Sequence, residues 1–412
     1  MANGLEVLAE RGFIKQCTDF DKLNTLMVNN KISFYAGFDP TGKSLHIGHM
    51  VPLMAMAHLQ RAGHKPIALV GGGTALIGDP SGKTEMRKIQ TLEKIQENSG
   101  FFKKQIEKFI DFNDDKASML NNYEWLGSLN YIEFLRDIGR HFSVNKMLGF
   151  ETYKMRMETG LSFIEFNYQL LQSYDFLVLN QQHGCKLQIG GDDQWGNIVA
   201  GVDLTRRVES DEVFGLTFPL VTRADGKKMG KTEKGAVFLD PEMFSPYDYF
   251  QYWRNVADAD VEKFLLLFTF LPVSEIKELG KLEGQDINKA KEILAYEQTK
   301  IIHGEKEAAK AREAARAAFT AQGSVSVDKS AIPSIKVERR ELEAGINVMD
   351  LFSRTALCSS KGEARRLITQ GGASVNEVKI TDIDKSIDVS FIEDDELLLK
   401  AGKKRYFRII VE

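Results

Sequence analysis

The chain has 412 residues, enough for two or three domains; 43% are hydrophobic and 27% charged, so each domain can bury a core and long disorder is excluded. A net charge of −4 excludes a uniformly basic nucleic-acid coat, so any RNA contact must come from a local patch. Three cysteines, Cys17, Cys185 and Cys358, lie far apart and exclude a disulfide scaffold and a four-cysteine zinc site. The opening MANGLEVLAERGF carries Glu6 and Glu10 and lacks a long apolar core, which reads as no signal peptide. The longest apolar runs, FLLLF at 264–268 among them, fall far short of a membrane span. A cytoplasmic protein with no membrane contact is expected.

Residues 32–38 (ISFYAGF) are apolar and β-prone, and a turn follows at Asp39-Pro40-Thr41-Gly42. A helical stretch then runs from about Leu45 to Gln60, and PIALVGG from Pro66 reads as a second strand. Strand, helix and strand in sequence make a βαβ unit of a parallel sheet. Residues 163–179 read as a helix, 187–191 as a buried strand, and WGNIVAGVDLTRRV as another helix. The expected fold is α/β, with a doubly wound, Rossmann-like parallel sheet and a ligand crevice at the carboxyl ends of its strands. The domains are expected at 1–235 (catalytic), 236–320 (helical), 321–345 (linker, from AQGSVSVDKSAIPS) and 346–412 (a small α+β module).

Gly37 to Ser44 (GFDPTGKS) matches the Walker A pattern between a strand and a helix, which taken alone indicates a nucleoside triphosphatase dependent on Lys43. Pro40 argues against a phosphate-wrapping loop, because it removes a backbone donor from the middle and forces Asp39 into extended geometry. The next residues explain the region better. Leu45-His46-Ile47-Gly48-His49 sets two imidazoles at i, i+3 near a helix N-terminus, where free N–H groups favour an anion. Gly48 lets a flat group approach the backbone. Pro52 inside the helix predicts a kink just after His49. About 180 residues farther on, Lys228-Met229-Gly230-Lys231-Thr232 makes a basic, glycine-containing loop.

Together the two stretches resemble the HIGH and KMSKS sequences of class I aminoacyl-tRNA synthetases, in the right order and bracketing one α/β domain. The implied chemistry is attack of an amino-acid carboxylate on the α-phosphate of ATP. The carboxylate is already ionised, so catalysis reduces to positioning and to donors aimed at developing charge. Thr41, His46 and His49 would face the phosphates from one side, with Lys83, Arg87, Lys228, Lys231 and Thr232 on the other. Mg²⁺ would travel on ATP and pyrophosphate, with no resident metal or other tightly bound cofactor.

Tyr168, Gln172 and Asp175 share one face of the 163–179 helix, while Phe166, Leu170 and Leu177 serve its core. A carboxylate on the inner side of an apolar helix needs a partner, and a phenol suits: Asp175 accepts its proton while Tyr35 supplies a second hydrogen bond. Asp79, Tyr168 and Gln172 then suit an ammonium group. Here the resemblance narrows to the bacterial tyrosyl-tRNA synthetases, through YAGFDPTGKSLHIGH, GGGTALIGDPSGK, FNYQLLQSYDF, QIGGDDQWGN and KMGKT. It implies that Gly191 and Asp193 hold ribose, that Gly37, Asp39, His46, Gly48, His49 and Lys231 bind ATP, and that Gln194 lies near the reacting carboxylate. Gly230 and Thr232 depart from the serines of the KMSKS form, and Gly230 should loosen the loop. Lys43 and Ser44 lie outside the family's catalytic set, which makes the Walker match accidental; core packing is the reading for Trp195.

In the last module Arg354, Lys361, Arg365 and Arg366 form one basic group and Lys400, Lys403, Lys404, Arg405 and Arg408 another, with Glu393 to Glu396 as a solvated acidic run between them. The order SSKGEARRLITQGGASVNEVKI resembles the S-four-like RNA-binding module and implies tRNA(Tyr) as partner, through Arg354, Lys361, Arg365, Arg366, Lys403, Lys404 and Arg405. The resemblance also implies a homodimer, with the apolar helices near 130–165 as candidate contact. The alternatives are a P-loop triphosphatase, an RNA-binding protein without catalysis, and a synthetase for tryptophan, whose indole would give Asp175 only a donor on a larger ring.

Overall fold

The computed structural model describes residues 3–81, 90–226, 229–232, 235–320, 332–402 and 405–412, with backbone alone for 231–232 and 318–320. The chain divides into two compact units: Met1–Phe244 with Asn255–Leu294, and Ser245–Arg254 with Ala295–Glu412.

The first unit is built on a six-stranded sheet. Its strands are β1 (Gln16–Cys17), β2 (Ser33–Phe38), β3 (Lys65–Val70), β4 (Ser118–Asn121), β5 (Cys185–Gly191) and β6 (Phe214–Phe218), in the order β1-β6-β5-β2-β3-β4. All neighbouring pairs from β6 to β4 are parallel, and β1 closes the edge antiparallel to β6; β7 (Lys231–Thr232) and β8 (Gly235–Ala236) pair separately, antiparallel. From β2 the chain winds one way to β3 and β4, then returns to β5 and β6 on the other side. The winding therefore reverses between β2 and β5, which is where a doubly wound sheet opens a crevice at its carboxyl ends. Tyr35 of β2 is in register with Ile67 of β3 and with Gln188 of β5.

The helix read at 163–179 is Phe163–His183, and its limits have local causes. Ser162 accepts from the Glu165 N–H while the Glu165 carboxylate accepts from the Ser162 N–H, a capping box. At the other end Gly184 takes a left-handed φ of 60° and stops the helix. Leu170 and Leu177 are buried in a cluster with Phe134, Tyr153 and Leu204, and Phe166 packs on it. Glu165 also meets Arg156 at 3.0 Å in a pair whose side chains are 2% and 4% exposed. Arg11, 6% exposed, donates to the carbonyls of Leu266, Thr269 and Leu271 where the helix Val261–Phe268 ends.

Pro52 does not kink a helix. The stretch opens as a 3₁₀ turn, Ile47–His49, and the α-helix Met50–Arg61 starts after it. Pro52 thus falls in the first helical turn, where no N–H has an intrahelical acceptor to lose.

From Pro246 to Thr320 the described regular elements are all helices, but they do not form a body of their own. Residues 255–294 belong to the first unit, and 245–254 and 295–320 to the second. In the second unit Tyr249 is fully buried, donates to Gln298 and meets Trp253 edge-on. A five-stranded sheet follows, β12-β11-β14-β15-β9, made of β9 (Ser334–Val337), β11 (Ala373–Val375), β12 (Val378–Ile380), β14 (Glu396–Ala401) and β15 (Arg405–Val411). β10 (Ile346–Asn347) pairs separately with β13 (Ser386–Ile387). Residues expected as linker therefore include β9, parallel to β15, and the helix Arg339–Ala344, while 321–331 lie outside the described residues.

Candidate active site

At the switch point between β2 and β5 a cavity of about 720 Å³ opens. Its wall includes Tyr35, Gly37, Asp39, Thr41, His46, Gly48, His49, Asp79, Tyr168, Gln172, Asp175, Gly191, Asp193 and Gln194, so residues far apart in sequence meet in one place. Lys83, Arg87, Lys228, Lys403 and Lys404 lie outside the described residues, and for Lys231 and Thr232 the backbone alone is described.

Tyr35 and Asp175 are 1% and 2% exposed. The Tyr35 hydroxyl is buried without a hydrogen-bond partner. Burial, and then the charge of Asp175, push its pKa well above that of an ordinary tyrosine. Asp175 accepts from Trp125 Nε1 at 2.8 Å and from Asn122 Nδ2 at 2.9 Å. Burial raises its pKa to about 7; those two bonds oppose the rise, and Asp39 adds to it. Asn122 and Trp125 were not evident from the sequence. They follow β4, a four-residue edge strand with no apolar alternation to announce it. Gln188 was also hidden, in a run that reads as plain buried strand. It is 3% exposed, lines the cavity, and its Oε1 has no partner.

The polar residues expected around an ammonium group are interlocked. Tyr168 donates to Asp39 Oδ2 at 3.2 Å, and Thr74 donates to Asp39 Oδ1 at 2.9 Å. Asp79 accepts from Gln194 Nε2 at 2.7 Å and from the Ser81 N–H. Asn197 Nδ2 lies 3.1 Å from Gln172 Oε1 and 3.2 Å from Gln194 Oε1. Of the adjacent pair Asp192 and Asp193, only the second reaches the cavity; Asp192 accepts from Thr217 and from Gln16 on the edge strand.

The two histidines cap their own turn. Gly48 N–H donates to His46 Nδ1 at 3.0 Å, and His46 N–H donates to His49 Nδ1 at 3.2 Å. Each Nδ1 thus faces a backbone N–H, which leaves Nε2 as the nitrogen of each ring suited to donating. The ring centroids are 4.0 Å apart. Gly48 has a role that the sequence did not reveal: a Cβ there would stand 2.8 Å from His46 Cε1 and 2.9 Å from Nδ1, displacing the ring.

The second motif packs directly behind the first. Val237 N–H donates to Gly230 O, Ile47 N–H to Val237 O, and Leu239 N–H to Leu45 O. Gly230 has a φ of +82°, which explains glycine in place of serine, and its Cα carries no group to crowd Ile47 Cβ, 3.3 Å from where a Cβ would lie. Lys43 pairs with Glu97 at 3.4 Å on the surface. Ser44 is buried and donates to Leu45 O. Trp195 is half-buried.

In the second unit the basic residues divide. Arg365 and Arg366 are exposed on the helix Lys361–Thr369. Arg354 pairs with Glu341 at 2.7 Å, Lys361 pairs with Asp350, and Arg405 donates to Leu357 O. Arg408 and Glu396 form a pair at 2.7 Å with side chains 16% and 12% exposed, so Glu396 is no part of a solvated run.

Comparison with known proteins agrees across the whole length. The family described as tRNA synthetases class I (W and Y) matches residues 27–320, and a tyrosine–tRNA ligase SYY-like C-terminal domain matches 325–409. The chain is 60% identical to the tyrosine–tRNA ligase of Treponema denticola over 411 residues and 56% identical to that of Clostridium kluyveri over 412, covering 100% of each. Among solved structures, a C-terminally truncated mitochondrial tyrosyl-tRNA synthetase of Aspergillus nidulans superposes with a TM-score of 0.69 at 31% identity, over 77% of this chain and 94% of that one.

Proposed function

The chain belongs to the class I tRNA synthetases of the tryptophan and tyrosine group, and from that premise we infer how its cavity joins tyrosine to tRNA with ATP as the second substrate. One observation carries the residue assignment. A buried tyrosine hydroxyl without a partner and a buried carboxylate open on the same cavity as a turn of two histidines whose Nδ1 atoms accept backbone N–H groups. A phenol fits the first pair as donor to Asp175 and acceptor from Tyr35.

With the phenol so placed, Asp79, Tyr168 and Gln172 receive the ammonium group, with Gln194 holding Asp79 in position by its 2.7 Å bond. The carboxylate then attacks the α-phosphate, a bond forms from carboxylate oxygen to phosphorus, and pyrophosphate departs with its electron pair. Thr41, His46 and His49 donate to the phosphate oxygens as negative charge builds on them, while Lys83, Arg87, Lys228, Lys231 and Thr232 act from the opposite side. Gly37, Asp39 and Gly48 border the nucleotide, and Gly191 and Asp193 meet the ribose. Any Mg²⁺ comes with the phosphates as part of the substrate. The terminal ribose hydroxyl of tRNA(Tyr) then attacks the mixed anhydride and releases AMP.

Arg365 and Arg366, with Arg354, Lys361, Lys403, Lys404 and Arg405, are the proposed tRNA contacts, which makes the C-terminal module 346–412 the RNA-binding part and 1–235 the catalytic part. Tyr131, Ile132, Val144, Met157 and Phe163 are exposed apolar residues, Ile132 and Phe163 by 70% and 71%, and the helices near 130–165 that carry them are the proposed contact of a homodimer. Three unbridged cysteines and a tRNA substrate suit a reaction in the cytoplasm. The test is ATP–pyrophosphate exchange with each amino acid in turn. Exchange should require tyrosine; equal exchange with phenylalanine or tryptophan would remove the phenol from the account.

A further inference from the structure

The loop 39–45 carries Thr41 and leads into the His46–His49 turn, yet it has almost no regular structure of its own. Among the described residues its one internal backbone bond is from Thr41 N–H to Asp39 O. Pro40 has no N–H to give. The remaining polar backbone groups of such a loop need partners from elsewhere. Leu45 O takes the Leu239 N–H and Ser44 Oγ, and several other partners come from one neighbouring segment. Gln90 Nε2 donates to Thr41 O at 2.8 Å, Asn98 Nδ2 donates to Pro40 O at 2.9 Å, and Gln105 Nε2 lies 3.5 Å from Lys43 O. Gln105 Oε1 accepts from Leu45 N–H at 2.8 Å, and Ser44 Oγ lies 3.2 Å from it. Asn98 and Gln105 lie two turns apart on the helix Leu92–Ile106, and Gln90 lies just before it. Asn98 is 1% and Gln105 6% exposed.

Three carboxamides reading a short run of backbone positions form a clamp. Each is neutral, so none of them competes for phosphate charge. None of the three lines the cavity. Simple core packing would be better served by apolar side chains at 98 and 105, because a buried carboxamide with unmet bonds is costly. Asn98 does leave its Oδ1 without a partner, and the bond to Pro40 O is the return. The tyrosine half of the cavity has different supports, Asn122, Trp125 and Asn197.

We propose that Gln90, Asn98 and Gln105 are positioning residues for the adenylation step, holding the 39–45 loop so that Thr41 and His46 meet the phosphates at the moment of transfer. The proposal rests on the phosphate role given above to Thr41 and His46. A loop held in advance costs nothing to order in the transition state, whereas a loose one must be ordered each time. The clamp therefore acts on kcat of activation and leaves tyrosine binding alone.

The variants are Gln105→Met and Asn98→Leu, which keep volume and remove the bonds, Gln105→Glu, which keeps the acceptor for Leu45 N–H, and Gln90→Ala, which breaks a single bond at a half-buried position. Tyrosine affinity is read by equilibrium titration, adenylate formation by single-turnover kinetics, and folding by thermal melting, all on the full chain. For Gln105→Met and Asn98→Leu, the rate of adenylate formation should fall tenfold or more with tyrosine affinity within twofold of the parent. Gln105→Glu should recover most of that rate, and Gln90→Ala should lose two- to fivefold with an unchanged melting temperature. If tyrosine affinity and rate fall together, or if Gln105→Glu is as slow as Gln105→Met, the clamp is general packing and the proposal is overturned. Thr41→Ala and His46→Ala run alongside separate the two readings: if they are as fast as the parent, the phosphate assignment itself is wrong, whereas slow Thr41 and His46 variants with fast clamp variants overturn the clamp alone.

Discussion

The Tyr35 hydroxyl and the Asp175 carboxylate open on one cavity from adjoining elements, and only the carboxylate has its bonds made. Trp125 and Asn122 hold both of its oxygens, while the hydroxyl has no partner. Tyr35→Phe should therefore leave the stability of the substrate-free protein unchanged or slightly raised, because it removes an unsatisfied buried group. It should weaken tyrosine binding by about two- to tenfold, the worth of one neutral hydrogen bond of about 0.5–1.5 kcal/mol. Thermal melting and tyrosine titration of the same preparation check both halves.

Asp175 makes stability depend on pH. Its pKa moves from the ordinary 3.8 to about 7 on folding, chiefly through burial. The folded state thus holds the proton more tightly than the unfolded one, and the stability this gives is full below the unfolded pKa and lost as pH rises through 7. The melting temperature of the parent relative to Asp175→Asn should fall between pH 5 and 8. Saturating tyrosine should flatten that difference, since a phenol donating to the carboxylate favours its charged form. A difference independent of pH would contradict the assignment.

Gly48→Ala is expected to act on the reaction and not on the fold. The added Cβ would lie 2.8 Å from the His46 ring, which must swing out of its bond with the Gly48 N–H. Loss of one aligned donor at a developing oxyanion slows enzymes by about 10²–10³-fold. Pyrophosphate exchange should drop by about 10²-fold, the lower end of that range, with tyrosine affinity intact.

Arg365→Ala combined with Arg366→Ala tests the RNA face without touching the cavity. Tyrosine-dependent pyrophosphate exchange should be unchanged. The KM for tRNA in aminoacylation should rise, and its dependence on salt should become shallower by roughly one to two in log–log slope, as expected when one or two phosphates are no longer neutralised by the protein. An unchanged salt slope would place the RNA elsewhere.

Much of this site could be read before any coordinates, because its residues sit on elements with strong local signals. The β2 and β5 strands are apolar runs, and the Phe163–His183 helix has a capping box and a terminal glycine. Periodicity alone then puts Tyr168, Gln172 and Asp175 on one face. What stayed hidden are partners supplied across long sequence distances by segments without such signals. Asn122 and Trp125 reach Asp175 from 53 and 50 positions away, after a strand of four half-buried residues. Gln188 is a polar residue inside an apolar strand, where pattern reads it as core. From Pro246 to Thr320 the described regular elements are helices, but helical composition carries no information on which core each helix joins, so the split between the two units was not legible. Pro52 was misread because its effect depends on where the helix begins, and the 3₁₀ turn moved that start by several residues.

Arg11 gives three of its hydrogen bonds to carbonyls between 266 and 271, far beyond the last motif of the catalytic stretch. The amino-terminal helix and the residues after the second unit's first excursion are thus parts of one body, and a gene cut after Phe244 would strip this guanidinium of all three acceptors. Engineers seeking a minimal activating fragment of this enzyme must carry the 255–294 segment along, because the catalytic half is not contiguous on the chain.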